Sequence, residues 1–184
     1  MLYHVSSTAG IKILEPRVSS HQKAYVYAID NIVTALLFGA RHDDFDFLID
    51  EEDGKPIIYE CYPNAFETVY TSKNCSVYEL AEEGFLRGVT SWEPELVCEH
   101  AVEVLREVKV TDLYERLLEE EKQGNLQINR YQDTMEYKKI ISEHIVDRMI
   151  RFDALEHLET DARFQKYYKK IGEALLRIMD GHLL

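Results

Sequence analysis

Two stretches near the start of the chain carry groups that can do chemistry together. Leu2-Tyr3-His4-Val5-Ser6-Ser7 puts a histidine and two hydroxyls on a short apolar run, and Lys23-Ala24-Tyr25-Val26-Tyr27-Ala28-Ile29-Asp30 follows with two tyrosines and a carboxylate. An imidazole, a phenol ring and a nearby carboxylate are the groups needed to hold a nucleotide and to assist cleavage of a glycosidic bond. The plainer alternative is structural: a chain with 12 tyrosines uses most of them for packing, and a histidine beside a tyrosine on a strand is commonly a hydrogen-bonded edge residue.

Such groups need strands to hold them. Leu2–Val5, Ala24–Ala28, Phe45–Ile49, Ile57–Cys61, Ser76–Leu80 and Leu96–Val110, the last broken near Glu99-His100, read as strands. The acidic segment Asp50–Pro56 reads as a loop closing a hairpin. It fails as a calcium loop, because placing Gly54 at the sixth position puts Ile49, which has no side-chain oxygen, at the first. Asp30 is placed to cap a helix over Asn31–Phe38 that ends at Gly39, and Thr111 or Asp112 to cap Leu113–Gln123, with Gly124 as the stop. Farther on, Met135, Ile141, Ile145, Met149 and Phe152, then Leu155 and Leu158, and then Phe164, Tyr168, Ile171, Leu175 and Ile178 recur at helical spacing. The expected fold class is α+β, with a β-rich domain over residues 1–128 and a helical C-terminal region over 129–184. The apolar stripes of that region must bury against the β-rich half, a second copy of the chain or a protein partner.

Charge sharpens this division. The net charge of −13 lies wholly in residues 1–128, which hold 11 basic and 24 acidic residues, whereas 129–184 hold ten of each. A nucleic-acid binder needs a basic surface to neutralise phosphates, so DNA or RNA is a poor candidate partner. Cys61, Cys75 and Cys98 are scattered without a Cys-x-x-Cys spacing, which argues against a disulfide framework or a zinc site and fits a reducing cytoplasm. No metal is expected. No apolar run reaches the ~18–20 residues that cross a bilayer, and the start lacks the pattern of a signal peptide, so no membrane association is expected. Neither a phosphate-binding Gly-x-x-x-x-Gly-Lys-Ser/Thr loop nor a Gly-x-Gly-x-x-Gly turn is present.

Tyr3-His4-Val5-Ser6-Ser7, Ile13-Leu14-Glu15-Pro16-Arg17 and Tyr25-Val26-Tyr27-Ala28, leading into an alanine-containing helix, resemble the N-terminal half of rifampin-type ADP-ribosyltransferases. More distantly they are similar to the poly(ADP-ribose) polymerase-like fold, which opens with Tyr or Phe, His, Gly, and Ser or Thr. Ser76–Leu80 and the run from Trp92-Glu93-Pro94-Glu95 through Val102–Leu105 follow that family's order of strands, so the likeness covers roughly residues 2–110. It implies a split β-sheet core, with NAD as substrate and an unknown acceptor. It also implies a triad in which His4 holds the adenosine-side ribose, Tyr27 stacks on nicotinamide and Glu95 favours charge developing at the nicotinamide ribose. By the same resemblance Ser6, Tyr25 and Arg17 join the NAD-binding set, Arg17 meeting a phosphate. Tyr25 competes with Tyr27 for the stacking position, and Glu93, Glu82 and Glu83 compete with Glu95 for the acidic one.

Val5 stands where the family carries glycine. Two functions are therefore expected in competition. One is transfer of ADP-ribose from NAD. The other is a catalytically inactive relative that binds or regulates through its acidic face or its helical tail.

Overall fold

The computed structural model describes residues 1–18, 23–42, 46–90 and 92–151, with side chains through residue 144. The elements run β1 (Leu2–Ser6), β2 (Ile13–Leu14), β3 (Arg17–Val18), β4 (Ala24–Ile29), α1 (Ile32–Leu37), β5 (Phe47–Glu52), β6 (Lys55–Glu60), α2 (Ala65–Tyr70), β7 (Cys75–Leu80), β8 (Leu86–Arg87), β9 (Glu95–Cys98), β10 (Val102–Glu103), β11 (Arg106–Val110), α3 (Leu113–Lys122), β12 (Gln127–Asn129) and α4 (Met135–Arg151). The fold is α+β. A seven-stranded sheet runs in the order β11-β7-β1-β4-β9-β8, with β3 added to β4, and every pairing in it is antiparallel. Beside it stand a three-stranded sheet, β12-β6-β5, and a two-stranded one, β10-β2. Among the described residues no helix is long and apolar enough to cross a membrane.

Side-chain alternation divides the core between the two faces of the large sheet. On one face Cys75, Val77 and Val110 meet α1, α2 and α3 and the three-stranded sheet, with Leu37, Phe47, Ile58, Leu113 and Leu117 fully enclosed. Each of those side chains contributes about 1.5–3 kcal/mol by leaving water. On the other face Leu2, Val26, Ala28, Tyr78, Leu80, Leu96 and Cys98 pack beneath Leu14 and Val102 of the two-stranded sheet, with Ile11 and Phe85. Tyr3 and Val5 pack with the first cluster.

β1 is bonded to its two neighbours very differently. All five of its residues pair with β7, from Leu2 opposite Leu80 to Ser6 opposite Ser76, whereas only Tyr3, opposite Ile29, pairs with β4. The ladder between β1 and β4 thus opens after one position.

Several local expectations change. Asn31, not Asp30, caps the first helix: its Oδ1 accepts from the backbone N–H of Val33 at 2.8 Å and of Thr34 at 3.2 Å. An amide at this position can also donate, and Asn31 Nδ2 reaches the carbonyl of Gly54 at 2.7 Å, tying α1 to the β5–β6 turn. That turn is shorter than the acidic segment suggested. β5 and β6 stay paired through Glu52 and Lys55, leaving only Asp53 and Gly54, both at positive φ, as the two-residue hairpin turn requires. The long run Leu96–Val110 resolves into β9, β10 and β11, which serve two different sheets. The fifth strand begins at Phe47; Phe45 lies outside the described residues. α2 and β12 were not expected at all.

The chain crosses the expected boundary at 128 while still woven into the rest. β12 pairs in parallel with β6, and the backbone N–H of Tyr131 donates to the buried carboxylate of Glu60 at 2.9 Å. The Tyr137 hydroxyl, on the first turn of α4, lies 3.0 and 2.8 Å from the carbonyls of Glu60 and Asn129. The helical stripes expected from Phe152 onward lie outside the described residues.

Candidate functional site

His4 sits where the β1–β4 ladder opens. Its Nδ1 is 2.8 Å from the carbonyl oxygen of Tyr27. A carbonyl only accepts, so Nδ1 carries the hydrogen and Nε2 is the acceptor of the neutral ring. Burial pushes the imidazole below its ordinary value; the bond to Tyr27 opposes this, and the nearby Arg17 guanidinium adds to the lowering. The ring is therefore neutral at pH 7, with Nε2 as its acceptor. Arg17 itself is exposed on β3, opposite Tyr25.

Local bonds absorb the other polar groups beside His4. Ser6 Oγ accepts from the backbone of Thr8 at 3.1 Å, closing a turn. The buried Tyr78, opposite His4 with ring centroids 6.4 Å apart, donates its hydroxyl to the Thr8 carbonyl at 2.6 Å and accepts from the Ile11 N–H at 3.3 Å. Glu107 accepts from Ser76 Oγ at 2.7 Å and from the Gly10 N–H at 3.0 Å. The segment after β1 is strapped down over this face.

Tyr27 and Glu95 belong to the opposite face. Directly paired residues share a face, and Tyr3 pairs with Ile29, which pairs with Glu95 on its other side. Tyr27, two residues before Ile29 and opposite the buried Val97, shares that face, while His4, adjacent to Tyr3, does not. Tyr25 is on the Tyr27 side, with the two rings edge-on at 5.9 Å. It is 7% exposed and lies beneath the Lys23 ammonium, 5.3 Å from the ring centroid. The structure thus brings His4 close to the Tyr27 carbonyl, and Tyr25 close to Tyr27, while Arg17, paired with Tyr25, shares the Tyr27 side. It does not bring the His4 imidazole, the Tyr27 phenol and the Glu95 carboxylate into one hollow.

A concavity lies elsewhere among the described residues. A cavity of about 470 Å³ lies at the end of the sheet where α1 begins, lined by Tyr3, Asp30, Asn31, Glu51, Arg87 and Glu93, among others. Arg87 pairs with Asp30 and also donates to the Glu93 carbonyl at 3.1 Å. Burial, then the charges of Asp30 and Glu93, hold the Glu51 carboxyl above the usual carboxylate range, against the pull of Arg87. Of the competing acids only Glu93 reaches this cavity; Glu82 pairs with the Met1 amine, and Glu83 is exposed. Three carboxylates and one already paired cation repel a pyrophosphate. The sequence marked the Asp30 carboxylate but not its partners: Glu51 read as loop, and Arg87 gave no signal. Among the described residues no group of three or more His, Cys, Asp or Glu side chains is arranged to hold a metal ion.

Comparison with protein-family models, with curated proteins and with solved structures gives no match.

Proposed function

We propose that this chain is a non-transferring relative of the ADP-ribosyltransferases, a binding protein that takes the ribose part of NAD or a similar nucleotide at His4. The opening of the β1–β4 ladder supports the split-sheet expectation, since a sheet that parts beside a histidine makes room for a ligand along its strands. A neutral Nε2 accepts from a ribose hydroxyl.

One observation carries the non-transferring half of the proposal: the register Tyr3–Ile29–Glu95 sets the phenol and carboxylate of the expected triad across the sheet from the imidazole. Cleaving the bond to nicotinamide needs the carboxylate within hydrogen-bond reach of the ribose that the same ligand presents. A sheet intervenes. Val5, packed into the core in place of a glycine, leaves the strand with a side chain where the family has bare backbone.

Calorimetry with NAD and with ADP-ribose tests this. Both should bind with similar heats, and His4→Ala should weaken binding by about tenfold, as the loss of one hydrogen bond to a hydroxyl group does. Glu95→Gln should leave the isotherm unchanged, and no nicotinamide should be released on long incubation. Absence of any heat would remove the nucleotide; nicotinamide release that Glu95→Gln abolishes would restore transfer.

A further inference from the structure

β11 ends the large sheet. It pairs with β7 on one side, and among the described residues no strand pairs with its other side, so a row of backbone donors and acceptors stands open there. At five residues it is the longest open edge of that sheet, since β8, at the far end, has only two. Val108 is 37% exposed and the neighbouring Leu105 59%, so the strip is apolar as well as unpaired.

The centre of its sequence is self-complementary. Arg106-Glu107-Val108-Lys109-Val110, laid antiparallel to itself about Val108, sets Glu107 opposite Lys109 of a second copy, and Lys109 opposite that copy's Glu107. Glu107 and Lys109 lie on one face of the strand, the face of Ser76 and Tyr78, while Val108 meets its own counterpart on the other. Any other register puts like charges closer together or leaves Lys109 facing an apolar residue, and charged edge residues of this kind otherwise deter pairing. Glu107 uses Oε1 for Ser76 and Gly10, which leaves Oε2 for the ammonium. With Arg106 paired to Glu79 of β7 and Lys109 beside Glu107, β11 is locally neutral within a chain of net charge −13, so the approaching edges are spared much of the repulsion between the two bodies.

We propose that β11 is a homodimer edge: two copies of this chain join their seven-stranded sheets antiparallel about a two-fold axis at Val108, with Glu107 and Lys109 exchanged as cross-strand pairs. This stands independently of the nucleotide reading, because His4 takes no part.

Cysteine scanning of the full-length chain tests the register. Directly opposed residues of an antiparallel pair stand about 4.5–5.5 Å apart at Cα, within disulfide reach. Val108→Cys should therefore cross-link with itself under mild oxidation. Lys109→Cys, facing position 107 and about 8 Å from its own copy by strand geometry, should not. In sedimentation equilibrium the unmodified protein should dimerise, and Lys109→Glu, which turns both pairs repulsive, should weaken the dimer by about tenfold or more. A chain that is monomeric at all concentrations with no Val108→Cys product would overturn the proposal. So would equal cross-linking at both positions, or a dimer indifferent to Lys109→Glu. Amide exchange at residues 107–109 supplies the second measurement: protection that rises with protein concentration agrees with the dimer, whereas full protection in a monomer means that the chain's own residues cover the edge, and the proposal falls.

Discussion

The imidazole of His4 replaces a missing rung of the sheet. Where β1 and β4 part, the ring nitrogen rather than a backbone amide satisfies the Tyr27 carbonyl. Holding the ring there, mostly out of water, has a consequence for stability. A group whose folded-state pKa lies below its unfolded value binds fewer protons in the folded protein, so its contribution is complete above the unfolded value of roughly 6.5 and is lost as pH falls from there toward the depressed one. His4→Asn retains a donor for the Tyr27 carbonyl and cannot titrate. Thermal melts between pH 7.5 and 5 should show the parent losing more stability than this variant, with the two curves diverging only below about pH 6.5. Parallel curves would mean that the imidazole is not buried as described.

The elements show which features alternation alone can reveal. The longer strands were legible because each run has the right residues, whereas the two-residue strands β2, β3 and β8 were not, and the α3 cap and stop, Asp112 and Gly124, were legible because a capping side chain and a glycine at φ +83° are local requirements. α2 escaped because Ala65–Tyr70 is shorter than two turns and is rich in aromatic and β-branched residues. β12 escaped because three residues show no period. The candidate triad failed for a subtler reason. Each strand displays its own alternation, but which face of β4 matches which face of β1 depends on register, and a one-residue slip would have reunited His4 with Tyr27. Gly39 belongs to this scale too. It ends α1 where the helix passes over α3 and β7, and an added Cβ would come within 2.7 Å of Leu113 Cδ2 and 2.9 Å of Cys75 Sγ. Both neighbours are buried, and burial pushes the Cys75 thiol up to about 11, so it packs there as a neutral apolar group. Gly39→Ala should cost about 1–3 kcal/mol in urea denaturation, with the slope unchanged. A neutral result would mean that α1 can slide away from α3.

At the scale of the whole molecule, the chain closes on itself through Glu60. Its side chain holds the N–H groups of Phe66 and Tyr131 at 2.9 Å each, while its carbonyl meets the Tyr137 hydroxyl, so one residue of β6 joins α2, the stretch after β12 and α4. Tyr137→Phe should cost about 1–2 kcal/mol, the charge of leaving buried carbonyls unmet. Amide exchange should then speed up in α4 while β7 keeps its protection. Equal loosening of both would show that α4 and the large sheet open as one unit. Finally, the position of β1 has a kinetic side. Its full-length partner is β7, so Leu2 waits for Leu80. Until β7 has been synthesised, a nascent chain holds Leu2 and its neighbours with one long flank exposed, and the loop that must close is among the longest in the fold. Assembly is therefore slow by topology, and the interval in which that strand stands open is the one in which a chaperone has most to do.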